Sequence, residues 1–197
     1  MFQFMGSRSG GPNGERTRGV TRGPKQIPIK LVAIAPDSVG VTHLESPRIW
    51  WWQSASTSPG EMMFQLETVT QPPVLVFKVK LNALPAGFNV LDPTKLGKDH
   101  KFRLNPGVEY SWVLTCFSGV AQNPVKGRVV RKNDLDLASF KATDPKRIAA
   151  LSESKNWYEL FDAVALPARV APAGNGYVAI RQKLLDQAGL GGEMKAP

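Results

Sequence analysis

A mainly β chain closed by a small helical cap is predicted by three observations. Tyr110, Trp112, Leu114 and Cys116 alternate with Glu109, Ser111, Val113 and Thr115, the period of a pleated strand with one face in a core. The Pro106-Gly107 turn ahead of that strand lets Tyr110 swing its hydroxyl back onto the bend, as in the tyrosine corner of immunoglobulin-like sandwiches. Beyond Asn133 the apolar spacing changes from two to three and four, the period of helices. Together these predict an immunoglobulin- or fibronectin type III-like β-sandwich of about seven strands over residues 27–132. A helical cap follows over 133–190, then a tail over 191–197.

Taken in order, residues 1–26 hold six glycines and two prolines among arginines and serines, with little that can bury itself. An extended or disordered basic arm is expected there, carrying Arg8, Arg16, Arg18 and Arg22. Ile27 to Ala35 is the first strand, with Pro28 at its start, and Val39 to Leu44 forms a short second one. Ile49 to Ser54 carries Trp50, Trp51 and Trp52 in succession, so Trp50 and Trp52 face one way and Trp51 the other. Either both faces of this strand are covered, or one presents an aromatic platform to a glycan, polymer or protein.

Glu61 to Thr70 and Val74 to Leu81 form a hairpin about Pro72-Pro73. Leu75, Phe77, Val79 and Leu81 are expected inward, and Val74, Val76, Lys78 and Lys80 outward. Residues 82–103 are expected to be a long loop, rich in charge around Lys98 to Arg103. After a bend at Ser118 to Pro124, Val125 to Lys132 forms an exterior strand whose Lys126 and Arg128 make one side basic.

In the cap, Thr143 caps a first helix whose Ile148 and Leu151 make one stripe. Trp157, Leu160, Phe161 and Val164 mark a second helix antiparallel to the first, ended by Pro167. The third runs from Gly176 to Gly189, which ends it in a left-handed conformation.

Composition narrows the function. A chain of 197 residues buries roughly 70% of its unfolded surface, enough for a true core. The net charge of +9 is concentrated toward the N-terminus, where six cations in residues 1–30 face Glu15 alone. One cysteine excludes an internal disulfide, and no apolar run reaches the ~20 residues that span a bilayer. No secretion signal is visible, so either a cytoplasmic location or a removed signal is expected.

The chemistry inventory is thin. His43 and His100 stand apart in different loops, without the spacing of a zinc site. No Gly-rich phosphate loop, nucleophile elbow or acidic metal cluster is present, so no residue is assigned a catalytic, cofactor or metal role. Tyr110, Trp112, Cys116 and Trp157 are assigned to structure. The candidate binding surface comprises Trp50, Trp51, Trp52, Lys78, Lys80, Lys126 and Arg128.

A set of short motifs carries a resemblance. Thr21-Arg22-Gly23, Leu31 to Pro36, Pro47 with Trp50-Trp51-Trp52, Pro106-Gly107 with Tyr110-Ser111-Trp112 and Cys116, Gly127 to Arg131, and Trp157-Tyr158-Glu159 occur in that order. Over about residues 19 to 190 the chain resembles the bacterial family catalogued as domain of unknown function number 928. The resemblance implies an exported protein of the periplasm or cell surface, with a β-rich body and a helical tail like a tetratricopeptide hairpin. The resemblance further implies a cysteine just after the Thr-Arg-Gly, able in many such proteins to bridge the later one; Pro24 and Lys25 stand here instead, so Cys116 loses that partner.

The expected function is a non-catalytic interaction module of the cell envelope that takes a protein or acidic polymer. A structural subunit docking through its N-terminal arm, a nucleic-acid binder and a glycan-active enzyme are the alternatives.

Overall fold

The computed structural model describes residues 29–97, 101–118, 121–132, 145–170, 176–192 and 194. The arm with Arg8, Arg16, Arg18 and Arg22, the Thr143 cap and His100 lie outside these residues. The described chain is mainly β, with two sheets and three helices.

The strands are β1 (Leu31–Ala33), β2 (Gly40–Thr42), β3 (Ile49–Gln53), β4 (Met62–Thr68), β5 (Leu75–Leu81), β6 (Gly87–Leu91), β7 (Glu109–Ser118) and β8 (Ala121–Arg131). A smaller sheet has the order β1-β3-β6, and a five-stranded one the order β2-β8-β7-β4-β5. All pairs are antiparallel except β2 with β8, which is parallel. Tyr110, Trp112, Leu114 and Cys116 of β7 are buried, as are Met62, Phe64 and Leu66 of β4 and Val125 and Val129 of β8. The inward halves of the alternating strands therefore meet the smaller sheet in one core. The Tyr110 hydroxyl accepts the Asn105 amide at 3.1 Å, tying the strand start to the chain just before the Pro-Gly bend.

Three differences from the predicted elements have physical reasons. Residues 82–103 are not one loop, since β6 and a 3-10 turn at Pro93–Lys95 lie within them. Asn89 occupies a core-facing position of β6 because its amide is satisfied at once by the carbonyls of Pro85 and Gly87, at 2.9 and 3.2 Å. Leu75 is 51% exposed, not inward, because the register slips between Leu66/Phe77 and Glu67/Leu75, leaving Val76 as an extra residue on β5. And β8 is no exterior strand: β2 flanks its C-terminal half, while Pro124 sits in the half β2 does not reach, where its missing N–H costs no ladder bond.

Helices α1 (Pro145–Glu153), α2 (Trp157–Val170) and α3 (Gly176–Gln187) complete the chain. Lys155, at φ 58, turns α1 into α2, and Gly189, at φ 72, closes α3 with the Leu190 amide on the Leu185 carbonyl at 2.8 Å. Pro167 does not end α2, which runs on to Val170. The second helix has two apolar faces. Leu160 and Val164 join Ile148, Leu151 and Leu184 in a core between helices, while Trp157, Tyr158, Phe161 and Ala165 join the core of the β body.

That second face answers what covers the tryptophan strand. Trp50, Trp51 and Trp52 are 1%, 1% and 5% exposed, so they form no aromatic platform, which corrects their place in the candidate binding surface. Trp51 pairs across to Ala33 and Asn89 and, with Gln53, lies on the opposite face of β3 from Trp50 and Trp52. Trp50 meets the Phe161 ring edge-on at 5.8 Å, so the helical layer covers its side of the small sheet. Arg181 of α3 lies 4.5 Å over the Phe88 ring, on the register row of Trp52.

Candidate functional site

Two groups of polar residues stand out from this frame: one holds the helices in place, and the other is presented outward.

The first is built by α2. Consecutive residues at its start each find a different part of the β body. Trp157 donates from its indole to the Ile34 carbonyl at 3.3 Å. The Tyr158 hydroxyl accepts the Trp112 indole N–H at 2.8 Å and donates to the Arg128 carbonyl at 3.0 Å. Glu159 Oε1 accepts the Thr42 hydroxyl, and the amides of His43 and Leu44 at 3.3 and 3.4 Å. His43 Nδ1 lies 3.5 Å from the same oxygen. One turn on, Asp162 accepts the Trp50 indole at 3.1 Å and Arg48 at 2.7 Å, and Arg48 also reaches Asp92 at 2.9 Å.

These carboxyls are tuned in opposite directions. Burial pushes Glu159 above the ordinary carboxylate range, and the bonds from Thr42 and from its own, Leu44 and His43 amides pull it back only in part. Asp162 is raised likewise, burial outweighing the pull of Arg48 and Trp50. Burial acts on Asp92 too, but the Thr94 hydroxyl, the Arg48 guanidinium and the Thr94 amide together hold it below the ordinary range. Burial opposes the charge of Arg48, yet its two carboxylates hold it above the usual value.

A pH dependence follows from Glu159, whose Oε2 has no hydrogen-bond partner among the described residues. A carboxyl raised on folding stabilises the fold below its ordinary pKa, and that stability is lost as pH rises through the raised value. Thermal unfolding of the Glu159→Gln variant should therefore lose less stability than the parent as pH climbs through this window. An identical pH profile in the two proteins would show that Glu159 does not titrate there.

Cys116, assigned to structure, is buried and free, its thiol pushed up to about 11 chiefly by burial and also by the charge of Glu61. Trp112, Tyr110 and Trp157 are likewise buried in the core.

The second group is the outer face of the five-stranded sheet. Lys78, Gln65, Val113 and Lys126 stand in one cross-strand row through β5, β4, β7 and β8. With strands about 4.8 Å apart, Lys78 and Lys126 are roughly 14 Å from one another. Two residues on along β5, Lys80 heads the row of Met63 and Thr115, and two residues on along β8, Arg128 ends the row of Glu67 and Ser111. All four basic side chains are exposed. The acidic strand residues of this face are Glu67 and Glu109, and Glu109 is spent on an ion pair with Arg128. Three lysines around a half-exposed floor of Met63, Gln65 and Val113 leave the face positive.

The four basic residues of the predicted surface are thus brought together by strands that run between them, while its three tryptophans lie inside. Sequence reasoning missed Arg48, Asp92, Glu159 and Asp162. Their partners are far away in the chain, and a carboxylate on an amphipathic helix reads locally as a solvated residue.

Among the described residues no helix is long and apolar enough to cross a membrane. Compared with curated proteins, the chain finds no match. Residues 13–197 match the family described as Domain of Unknown Function (DUF928), and the chain belongs to that family.

Proposed function

We propose that the chain is a non-catalytic binding module of the bacterial cell envelope, and that the basic outer face of its five-stranded sheet holds an acidic protein or polymer. The observation that carries this is the row of Lys78, Gln65, Val113 and Lys126, with Lys80 and Arg128 beside it, on a face where all four cations stand exposed. Clustered cations on a rigid sheet attract anions and keep the charged groups at fixed spacing, without any bond being made or broken. The buried acids support the non-catalytic part, since Glu159, Asp162 and Asp92 are engaged in fastening α2 and Arg48. The envelope is the compartment that the family resemblance implies.

The body is read as an immunoglobulin- or fibronectin type III-like sandwich. Supporting this are the β2-β8-β7-β4-β5 order, the parallel pairing of an early strand with the last one, and the Tyr110 bond at the entry to β7. The α1–α2 pair with its short turn supports the likeness to a tetratricopeptide hairpin. Fold alone assigns no ligand, so the basic face carries the weight.

Titration with polyglutamate and with a single-stranded oligonucleotide tests the proposal. Polyglutamate should bind at low salt and weaken as salt is raised, and K78E/K126E should lower its affinity about tenfold or more, with unfolding unchanged. Absence of polyanion binding, or equal affinity in the variant, would overturn it. Binding of the oligonucleotide alone would move the protein to the nucleic-acid readers.

A further inference from the structure

The hairpin joining β4 to β5 gathers Val69, Val74, Leu75 and Val76, exposed by 44%, 56%, 51% and 39%. These are four of the six large apolar side chains that stand exposed among the described residues. Gathered at one extremity of a sheet instead of scattered singly, these side chains form a patch of the kind that marks contacts. The slip of register at Leu66/Glu67 creates it, since the extra Val76 turns Leu75 away from the core.

Several polar groups of this tip are bonded within it. Thr68 and Thr70 share a hydroxyl bond of 2.7 Å, and Thr70 donates onward to the Pro72 carbonyl at 2.8 Å. The Val74 amide donates to the Thr68 hydroxyl at 3.1 Å, and the Thr68 amide to the Val74 carbonyl at 2.9 Å. The Val69 amide reaches the Glu109 carbonyl at 3.0 Å, and Pro72 and Pro73 have no N–H. These bonds lower the cost of taking Val74 and Leu75 out of water, while the exposed backbone and side chain of Gln71 meet polar groups and water at headgroup level.

Charge is layered behind it. Glu67 and Arg128 lie in the row level with Leu75, and Lys78 and Lys126 in the next outward row, roughly 7 Å further from the tip. Lysine stems reach that distance, so their ammonium groups can stand in a headgroup layer while the valines enter the acyl boundary.

We infer that the tip, residues 69–76, inserts into the interface of an anionic lipid bilayer, with Lys78 and Lys126 held by the headgroups. A second copy fits poorly: antiparallel pairing of two β5 edges sets Lys78 and Lys80 of one against those of the other, and the bulge interrupts the ladder. Four half-exposed aliphatic side chains also fall short of the roughly 800 Å² per partner that a stable protein interface buries. The inference shares its lysines with the binding face proposed above but rests on the apolar tip, and the two are separable.

Sedimentation with phosphatidylcholine vesicles, with and without phosphatidylglycerol, tests it on the full chain. The parent should bind vesicles that contain phosphatidylglycerol, and V74S/L75S, which removes apolar surface without adding charge, should lose at least about tenfold of that binding while keeping its affinity for polyglutamate. K78E/K126E should lose both, and Glu67→Gln should bind the anionic vesicles more tightly. Vesicle binding unchanged in V74S/L75S would overturn the tip's role and leave only the basic face. Polyglutamate binding with no vesicle binding would do the same, and a dimer abolished by V74S/L75S would assign the tip to a second copy instead. Failure to bind polyglutamate, with vesicles still bound through the tip, would sink the basic-face proposal alone.

Discussion

Alanine at Trp112 is expected to lower the unfolding free energy by about 3–5 kcal/mol, the range for large-to-small changes at fully buried aromatic positions. Trp112 is 0% exposed, and its ring is stacked on Phe64 at a centroid distance of 6.2 Å. Across the β7–β8 pair Gly127 faces it, and a glycine has no side chain with which to fill the space. The indole N–H also anchors Tyr158, so its loss leaves the helical layer without one of its bonds to the five-stranded sheet. Against a total stability of about 5–15 kcal/mol, this is a fifth or more. Urea unfolding followed by circular dichroism measures it. Trp112→Phe should cost less, because it keeps most of the volume even though it too loses the bond to Tyr158. A loss below about 1 kcal/mol in the alanine variant would show that the core closes over the gap and is not the rigid jigsaw described.

The second large effect runs the other way, by adding an atom. A Cβ at Gly127 would stand 2.5 Å from two ring carbons of Trp112 and 2.8 Å from the Ala35 Cβ. Neither neighbour is the free end of a flexible chain, so Gly127→Ala must push the indole or part the two sheets, at about 1–3 kcal/mol or more. The glycine is required here by close approach, and its backbone needs no left-handed conformation. Trp112→Phe frees the space that the methyl group added by Gly127→Ala would occupy, so the double variant should be more stable than the sum of the single losses implies. Simple additivity in that cycle would show that the strain is relieved elsewhere than at the ring.

The sequence made some of this legible and hid the rest for definable reasons. Strict alternation marked β4 and β7, because each has one face in the core and one toward solvent. The Trp50-Trp51-Trp52 run stated that two faces needed covering, but not that Phe161 and Asp162, more than a hundred residues on, would cover one of them. Short β2 was legible within Val39 to Leu44, though not its parallel partner at the far end of the chain, while β6 was hidden because it is short and turns an asparagine inward. The inward placing of Leu75 failed at a bulge, a change of phase that no local pattern announces. At the basic face each outward lysine was readable from its own strand. Their adjacency was not, since it requires β4 and β7 to lie between β5 and β8.

Two-dimensional NMR of the isotopically labelled protein, titrated with polyglutamate at low salt, locates the contact directly. Shifts are predicted at the amides of Lys78, Lys80, Gln65, Val113, Lys126 and Arg128, fading as salt is added, with Trp50, Trp51, Trp52 and the residues of α2 unmoved. Shifts gathered on the helices, or spread evenly along the chain, would contradict a sheet face built to hold an acidic partner.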